Sequence, residues 1–346
     1  MIRVGLVGIG GYAHYYLQRL LEFQEAGRIQ LEGCVVRSPE KHSEVLTANP
    51  DLKLYPDLKV MLESQEFDLV AIPAGIPFHV PMACLALAHG CHVIVEKPVA
   101  GSSSEIQRLS DAAKAAGKEV FVGFQHVHGE DALRLKSKLS SSKVEEVRLM
   151  GCWPRSINYY QKNDWSGKLI YGEQKVLDSP IHNGFGHHLH LAMWALEAEP
   201  VAAHAELIRV TPIQSFDTAF GTAMLSNQVP LRFQVTLACQ RRIDPVLRFQ
   251  TSEGNIDWMS RPEIVDAARR RFFELVISRL EGQSQEWICD PSSASTVTQL
   301  AEMLHESSPI TDAPDSEVLQ RQTAFGDQYS LSGIENRMLD WFAKGA

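Results

Sequence analysis

The sequence has few cysteines, and those it has are widely separated. Among the 346 residues there are six cysteines and no Cys-x-x-Cys pair, so neither a zinc knuckle nor a dithiol redox motif is predicted. We interpret them as buried thiols of a protein from a reducing compartment, the cytoplasm. The six are Cys34, Cys84, Cys91, Cys152, Cys239 and Cys289.

Positive charge is also scarce. The chain has 33 Lys and Arg residues against 42 Asp and Glu, a formal net charge of -9. Such a balance argues against a surface that binds nucleic acid or an anionic membrane, and a small-molecule substrate is the better expectation. A hydrophobic content of 45% over this length predicts about two domains with a large core.

Only one stretch is long and uncharged enough to suggest a membrane span. Leu69 to Val95 contains no Asp, Glu, Lys or Arg, but three prolines and three histidines interrupt it. It is better interpreted as a strand (69–72), a helix (about 80–89) and a second strand (92–95). The chain opens on the apolar strand 2–7 without a signal-like segment, so no secretion is predicted.

The chain has two regions with different patterns of predicted strands and helices, and together they predict an α/β protein with two domains. Residues 1–125 alternate apolar strands with helical segments, which predicts a Rossmann domain with a parallel sheet between helices. One of these helices should begin after a capping box at Ser102 and Glu105 and end at Gly117. Residues 126–346 carry longer alternating strands, a hairpin turn at 251–255 and an amphipathic helix around 334–342. They predict an α+β domain with a large, mostly antiparallel open sheet.

A glycine-rich loop follows the first strand and opens a helix. This is the context that a dinucleotide-binding fingerprint requires, because backbone N–H groups and the helix N-terminus can then hold a pyrophosphate. The alternative is a glycine-rich turn without a ligand. The predicted cofactor contacts of this loop are Gly8, Gly10, Gly11, Tyr12 and Ala13.

The tip of the second strand bears on the choice of cofactor. An acidic residue there favours NAD, because it binds the ribose hydroxyls. This strand ends instead with Arg37 and Ser38, which could hold a 2′-phosphate and give a mild preference for NADP over NAD. Alternatively, the arginine stacks on the adenine or faces water.

The tripeptide Glu96-Lys97-Pro98 follows the apolar run 92–95 directly. Open α/β sheets bind their ligands beyond the carboxyl ends of their strands, so Lys97 should lie at the edge of a cleft. A lysine there can act as an acid or a base. Taken alone, the tripeptide could equally be a solvated strand-to-loop turn.

The segment 178–190 is the second informative stretch. Ser179 is a good N-cap and Pro180 suits the first helical position, so a helix should extend to about Leu196. One face of that helix is apolar: Ile181, Phe185, Leu189, Ala192 and Leu196. The opposite stripe contains Asn183, His187, His190 and Trp194. No cysteine or suitably placed carboxylate accompanies the histidines, so we predict no metal site; a solvated or interface-lining stripe is the other interpretation.

Oxidation of a secondary alcohol needs a group that takes the hydroxyl proton, with neighbours that orient the substrate. Lys97, Asp178 and a histidine would supply that set. The glycine loop, the 96–98 tripeptide, the strand 120–124 and the segment 178–190 together resemble the glucose-fructose oxidoreductase and inositol dehydrogenase family (Gfo/Idh/MocA). The resemblance covers nearly the whole chain.

This resemblance implies a Rossmann domain followed by a large open-sheet domain, with NAD or NADP as cofactor. It further implies hydride transfer at a secondary hydroxyl of a sugar, sugar acid or inositol-like polyol, and homodimers or homotetramers formed through the sheet. Lys97 would be the acid–base residue, with Asp178 and a histidine beside it. Further cofactor contacts would come from Ala74, His79, Glu96, Lys97, Pro98 and Gln125.

The sequence departs from the family pattern around the histidine. The commoner spacing selects His182, but Phe185 stands where a second aspartate is usual. A variant pattern with an asparagine and a later histidine fits Asn183 and His187, and the helical face also favours His187. We therefore rank His187 first and keep His182 as the alternative. Ala74-Gly75 replaces the usual Thr-Pro, and an arginine common after strand 120–124 is missing, with His126 to His128 in its place.

The loop from Arg155 to Lys168 resembles the substrate loop of the family. Its arginine, tyrosines and tryptophan suit a hydroxylated ring, through hydrogen bonds to hydroxyls and an aromatic face against C–H bonds. The predicted substrate contacts are Arg155, Tyr159, Tyr160, Asn163, Trp165, Asn183 and His190.

Two other functions remain open on the sequence alone. The first is a cofactor-binding regulator of sugar metabolism, because relatives of this fold include sugar-pathway repressors that bind dinucleotide without catalysis. The second is a glycosidase or lyase that holds NAD tightly for transient oxidation.

Overall fold

A computed structural model describes residues 1–344 of the chain. It divides into two compact units, of which the first contains Met1–Gln125 and Arg269–Ala294. The second contains His126–Ala268 and the residues from Ser295 onward. The single boundary after residue 125 stays a prediction; in the structure the chain returns to the first unit for residues 269–294.

The N-terminal unit is built on a sheet of six parallel strands in the order β3-β2-β1-β4-β5-β6. The strands are β1 (Ile2–Val7), β2 (Ile29–Val35), β3 (Leu54–Tyr55), β4 (Leu69–Ile72), β5 (His92–Val95) and β6 (Val120–Val122). The helices between them are α1 (Tyr12–Glu25), α2 (Ser43–Ala48), α3 (Leu58–Ser64), α4 (Ile76–Ala88) and α5 (Ser103–Ala116). Every residue of β4 is buried, as expected for a parallel strand covered on both faces. The predicted α/β fold class is confirmed, and the strand order is that of a Rossmann domain.

The helix boundaries follow local chemical signals. Ser102 Oγ accepts a hydrogen bond from the Glu105 N–H at 3.4 Å, and Gly117 ends α5 in the left-handed conformation with φ +60°, so both predicted caps are confirmed. Helix α4 begins at Ile76, four residues before the predicted start. Pro77 lies in its first turn, where the missing N–H of proline has no helical partner to lose.

The returning segment 269–294 completes the N-terminal core. Phe272, Phe273 and Val276 are buried there with Tyr16 of α1. The backbone N–H of Val122, on the outer strand β6, donates to Cys289 O at 2.7 Å. The segment thus adds apolar packing and covers an edge of the sheet that would otherwise expose unpaired backbone groups.

The C-terminal unit is built on a seven-stranded sheet in the order β14-β13-β7-β12-β11-β10-β15. Neighbouring strands are antiparallel except for the pairs β7/β12 and β10/β15, which confirms the mostly antiparallel sheet. Its strands are β7 (Val144–Cys152), β10 (Pro200–Arg209), β11 (Thr218–Leu225), β12 (Pro230–Thr236), β13 (Ile243–Thr251), β14 (Gly254–Met259) and β15 (Ile310–Asp312).

Two small hairpins and six helices complete the chain. The hairpins are β8 (Ile170–Tyr171) with β9 (Gln174–Lys175), and β16 (Val318–Thr323) with β17 (Gly326–Leu331). The helices are α6 (Glu130–Ser140), α7 (Ile157–Gln161), α8 (Gly186–Ala195), α9 (Pro262–Leu280), α10 (Pro291–Ser307) and α11 (Ile334–Lys344). Helix α8 contacts β7 and β13. Helix α11 buries Met338 and Phe342 with Met150 and Cys152 of β7, so the predicted amphipathic helix at 334–342 packs against the sheet.

The segment 178–196 does not form the single α-helix that the sequence predicts. Pro180–Gly184 is a π-helical turn capped by Ser179, whose Oγ accepts from the His182 N–H at 3.2 Å. Phe185 then interrupts the helix with φ -106° and ψ 13° before α8 begins. A π-turn adds a residue to one turn and so rotates the faces of the helix after it. Of the predicted polar stripe, Asn183, His187 and Trp194 are half-buried and His190 is buried.

Segment 69–95 consists of β4, α4 and β5, and no helix within residues 1–344 is long and apolar enough to cross a membrane. The six cysteines are all free thiols; Cys84 is half-buried and the other five are buried.

Candidate functional site

The glycine-rich loop joins β1 to α1. Gly8 has φ +86° and Gly11 has φ +57°, a left-handed region that a side chain disfavours. The N–H of Gly8 donates to Val35 O at 2.9 Å, which ties the loop to β2. A Cβ atom on Gly10 would overlap the imidazole of His42. The backbone path therefore requires glycine at positions 8 and 11, and a side chain at position 10 would displace the His42 ring.

This loop has the features that a dinucleotide pyrophosphate requires. Within the described chain, no side chain caps the N-terminus of α1 and no acidic residue lies in its first turn, so the helix end presents backbone N–H groups and partial positive charge to an anion. The Ala13 Cβ lies 3.4 Å from the position that a Cβ on Gly8 would take, which shows how closely helix and strand approach. The residues present fit a bound dinucleotide phosphate.

Arg37 and Ser38 lie beyond the end of β2. Arg37 is exposed, and its guanidinium forms no ion pair with a carboxylate of residues 1–344. Ser38 is half-buried and precedes the short helical turn Pro39–His42. The predicted role of this pair at a 2′-phosphate stays a prediction.

Glu96 precedes Lys97 and is buried, and its carboxylate accepts three hydrogen bonds. Tyr16 Oη donates to Glu96 Oε1 at 2.6 Å, and Gln125 Nε2 donates to the same oxygen at 2.7 Å. The backbone N–H of Lys97 donates to Glu96 Oε2 at 3.1 Å. Burial raises the pKa of Glu96, while the hydrogen bond from Tyr16 and the charge of Lys97 oppose that rise. The carboxylate therefore fixes the backbone from which the Lys97 side chain starts.

Sequence reasoning missed Tyr16, which is fully buried on α1. Its position one helical turn after Tyr12, on the buried face of the helix, was the available signal. Tyr12 itself is 40% exposed and its ring contacts that of Tyr16 edge-to-face, with centroids 5.9 Å apart.

His79 connects the two loops that follow β4 and β5. It is buried, with Nδ1 2.9 Å from Pro98 O and Nε2 2.9 Å from Ala74 O. Burial lowers the pKa of His79, while the carbonyl oxygens of Ala74 and Pro98 oppose that shift. Both of its nitrogens are engaged by the protein, so His79 supports the loop that carries Lys97.

In the C-terminal unit, Asp178 is buried and oriented by two donors. The N–H of Gly167 donates to Asp178 Oδ2 at 2.6 Å, and Asn183 Nδ2 donates to Oδ1 at 2.8 Å. Asn183 lies in the π-helical turn and Gly167 at the end of the predicted substrate loop. The carboxylate thus joins two of the segments that the sequence singles out.

The two candidate histidines have different environments. His182 is fully buried, with Nδ1 3.1 Å from Val176 O and Nε2 3.0 Å from Thr298 Oγ1. His187 is half-buried on α8, and its ring stacks on His126 with centroids 4.2 Å apart. His182 therefore contributes to the core, whereas His187 belongs to a cluster of rings.

That cluster was not predicted as a unit. His188 packs edge-on against His126, Trp153 and Trp258, with ring centroids 5.4 to 5.8 Å apart. His126 lies where the family arginine is missing, which was the one signal in the sequence. Within residues 1–344 no group of three or more His, Cys, Asp or Glu side chains has an arrangement that could hold a metal ion.

The loop after β7 contributes Arg155 and two tyrosines. The Arg155 guanidinium lies over the Tyr159 ring, 4.8 Å from its centroid. Burial raises the pKa of Tyr159, and the negative charge of Asp178 adds to the rise. Tyr160 is buried and its pKa is raised in the same way. Tyr159 is thus close to both Arg155 and Asp178.

The remaining predicted substrate contacts are less closely grouped. Asn163 is exposed and donates to Ser166 Oγ at 3.3 Å, and Trp165 is half-buried. His190 is buried in α8. These assignments stay predictions.

Comparison with known proteins identifies the N-terminal unit. Residues 2–124 match the family model described as the oxidoreductase family with an NAD-binding Rossmann fold, Gfo/Idh/MocA. Residues 2–124 thus carry the NAD-binding Rossmann fold of this oxidoreductase family. The first unit is therefore a nicotinamide-dinucleotide-binding Rossmann domain, and the resemblance carried by the glycine loop and the 96–98 tripeptide is confirmed.

Several family members with assigned names are similar to the chain. Inositol 2-dehydrogenase of Burkholderia multivorans is 24% identical over 204 residues, 58% of this chain and 56% of that protein. The NADP⁺-dependent scyllo-inositol 2-dehydrogenase of Bacillus subtilis is 31% identical over 117 residues, 34% of this chain and 35% of that protein. The matches thus span between about a third and just over half of these relatives.

Likeness to solved structures extends over both units. The WlbA dehydrogenase of Chromobacterium violaceum, solved with NADH and UDP-GlcNAcA, has a TM-score of 0.76 at 20% identity. The match covers 88% of this chain and 93% of that one. At this identity the likeness shows a shared fold and nothing further.

Proposed function

We propose that the protein is an NAD(P)-dependent oxidoreductase. It transfers a hydride between the nicotinamide and a secondary hydroxyl of a sugar, sugar acid or inositol-like polyol. The observation that carries this proposal is the position of Lys97. It follows β5 at the carboxyl edge of a family-assigned Rossmann sheet, and its backbone N–H is hydrogen-bonded to a buried carboxylate.

The proposed roles derive from the chemistry of the side chains. The nicotinamide, when bound, supplies the hydride acceptor or donor. Lys97 takes the hydroxyl proton as the carbonyl forms and returns it in the reverse direction. Asp178, held by Gly167 and Asn183, orients the substrate, and His187 is the proposed second acid–base group.

The named relatives support this substrate class. Two of them are inositol dehydrogenases, and the WlbA structure contains NADH together with a nucleotide sugar. All act on or bind molecules with ring hydroxyls, which suits the aromatic and hydrogen-bonding side chains of loop 155–168.

A substrate panel tests the function. Purified protein is mixed with inositols, aldoses and sugar acids, each with NAD⁺ and NADP⁺, and reduction is followed by absorbance of the reduced cofactor. We expect cofactor-dependent turnover of at least one ring polyol or sugar. Tight cofactor binding without turnover of any member would favour a regulator. Cofactor that copurifies and is regenerated in each cycle would favour a glycosidase or lyase.

The choice between NAD and NADP can be measured by titration. We expect a lower dissociation constant for NADPH than for NADH, because Arg37 can pair with the 2′-phosphate. Arg37→Ala should raise the dissociation constant for NADPH by about tenfold, the effect of losing one charge-assisted hydrogen bond. NADH binding to the same variant serves as the internal control. Preference of the wild type for NADH would contradict this assignment.

Two further proposals concern the setting of the protein. We propose a homodimer or homotetramer that forms through the C-terminal sheet, where His204, Thr222 and Arg232 line an open depression of about 340 Å³. We also propose that it acts in the cytoplasm on a small molecule, without nucleic acid or membrane partners.

A further inference from the structure

Arg155 is a half-buried cation without a carboxylate partner. Its guanidinium forms no ion pair with any carboxylate of residues 1–344, and its NH1 donates to the neighbouring Pro154 O at 3.2 Å. The Nε atom is buried and has no hydrogen-bond acceptor within the described chain. Arginine remains charged at any physiological pH, so a donor left in this state costs free energy unless an acceptor arrives with a ligand.

The surrounding structure holds this charge in place. The backbone N–H of Arg155 donates to Leu237 O at 3.0 Å, which fixes the start of the loop to the segment after β12. The guanidinium carbon lies 4.8 Å from the Tyr159 ring centroid and 6.0 Å from that of Trp153. Aromatic faces stabilise a guanidinium without neutralising its charge, so these rings orient the cation and leave it without a counter-ion.

A neighbouring arginine shows the contrast. Arg242 lies over the same Trp153 ring, 5.5 Å from its centroid. Its Nε, however, donates to Asp244 Oδ1 at 2.7 Å, and its side chain is 65% exposed. Arg242 is therefore neutralised by the protein and by water, whereas Arg155, which lies over the Tyr159 ring, is not.

We propose that Arg155 binds a carboxylate of the substrate, so that the preferred substrates are sugar acids rather than neutral sugars or polyols. The inference rests on the proposed dehydrogenase function and narrows its substrate class. The planar fork of a guanidinium matches a carboxylate with two parallel hydrogen bonds. The substrate acid would supply the acceptors that the protein does not, while Asp178, itself negative, is left to accept from hydroxyl groups.

Matched substrate pairs test the proposal. D-glucuronate is compared with D-glucose and D-galacturonate with D-galactose, so that each pair differs at C6 alone, and glucose 6-phosphate tests a phosphate at that position. We expect higher kcat/KM for the acids. Arg155→Gln should lower kcat/KM for an acid by about 10- to 100-fold, mainly through KM, because a charge-assisted bidentate contact is lost. The neutral partner should change little, and Arg155→Lys should be intermediate.

Arg242→Gln is the matched control and should leave the acid-to-neutral ratio unchanged. Calorimetric titration of the acids into the protein with NADH reads binding directly. Equal or better use of the neutral sugars, or of the phosphate, would overturn the carboxylate assignment while the dehydrogenase function stands. Turnover of none of these compounds, nor of the wider panel, would overturn the dehydrogenase function. The titration would still decide whether Arg155 binds a carboxylate. If the dissociation constant for the sugar acid were the same in Arg155→Gln as in the wild type, the proposal would be refuted.

Discussion

Lys97→Met is expected to lower kcat by about 10²- to 10⁴-fold, the usual contribution of a general acid or base. Methionine retains much of the apolar stem but cannot accept the hydroxyl proton. The dissociation constant for NADH should stay within about threefold of the wild type, because the proposed pyrophosphate contacts lie in the glycine loop and do not involve the ammonium group. Steady-state kinetics and fluorescence titration measure the two quantities separately.

Lys114→Met is the control for this variant. Lys114 is an exposed lysine near the end of α5 in the same unit, so its replacement removes an equal charge without touching the site. We expect wild-type kcat for it. Wild-type-like turnover by Lys97→Met would remove Lys97 from the chemistry, and loss of NADH binding in that variant would assign it to cofactor binding instead.

Secondary structure was predicted most accurately where the residues of one short segment determine it. Strands 69–72 and 92–95 were predicted at their observed bounds, because β-branched apolar runs bounded by polar or breaking residues have few other structures available. The caps at Ser102 and Gly117 are equally local. The Rossmann domain could therefore be predicted almost entirely from short-range chemistry.

Long-range packing could not be predicted in the same way. The return of residues 269–294 to the N-terminal unit depends on Arg28, which pairs with Glu274 and Glu281 some 250 positions away, and on buried phenylalanines. No local pattern specifies such a partner. The π-turn before Phe185 was likewise not predicted, since residues 178–196 were predicted to form one helix.

In the candidate site, too, residues within local motifs could be predicted, whereas long-range contacts could not. Glu96 and Lys97 were selected from a local motif and Gln125 from the family resemblance, and the structure places Glu96 in contact with Gln125 and the Lys97 backbone. Tyr16 and His126 could be recognised as part of the candidate site only from their contacts in the folded structure. Pairings such as Tyr16 with Glu96, 80 positions apart, require the folded chain.

His187→Asn is expected to lower kcat by about 10²-fold, at the lower end of the range for a general acid or base. Asparagine can preserve a hydrogen bond but cannot exchange a proton near neutral pH. The melting temperature should change little, because the side chain is half-buried and stacks on the ring of His126 rather than filling the apolar core. Turnover assays and differential scanning fluorimetry provide the two readouts.

His182→Asn should produce the opposite pattern. The His182 ring is fully buried between Val176 O and Thr298 Oγ1. Because a carbonyl can only accept, Nδ1 must donate to Val176, and Nε2 is then the acceptor for the threonine hydroxyl. A shorter side chain cannot satisfy both partners, and an unsatisfied buried group costs about 1–3 kcal/mol. We therefore expect a lower melting temperature with kcat of the folded protein close to wild type.

The two variants together distinguish the alternatives that the sequence left open. If His182→Asn loses turnover at unchanged stability while His187→Asn does not, the commoner family spacing is the correct guide and the ring cluster is structural. If the expected pattern is found, the half-buried His187 beside His126 is the acid–base group, and the buried His182 is structural.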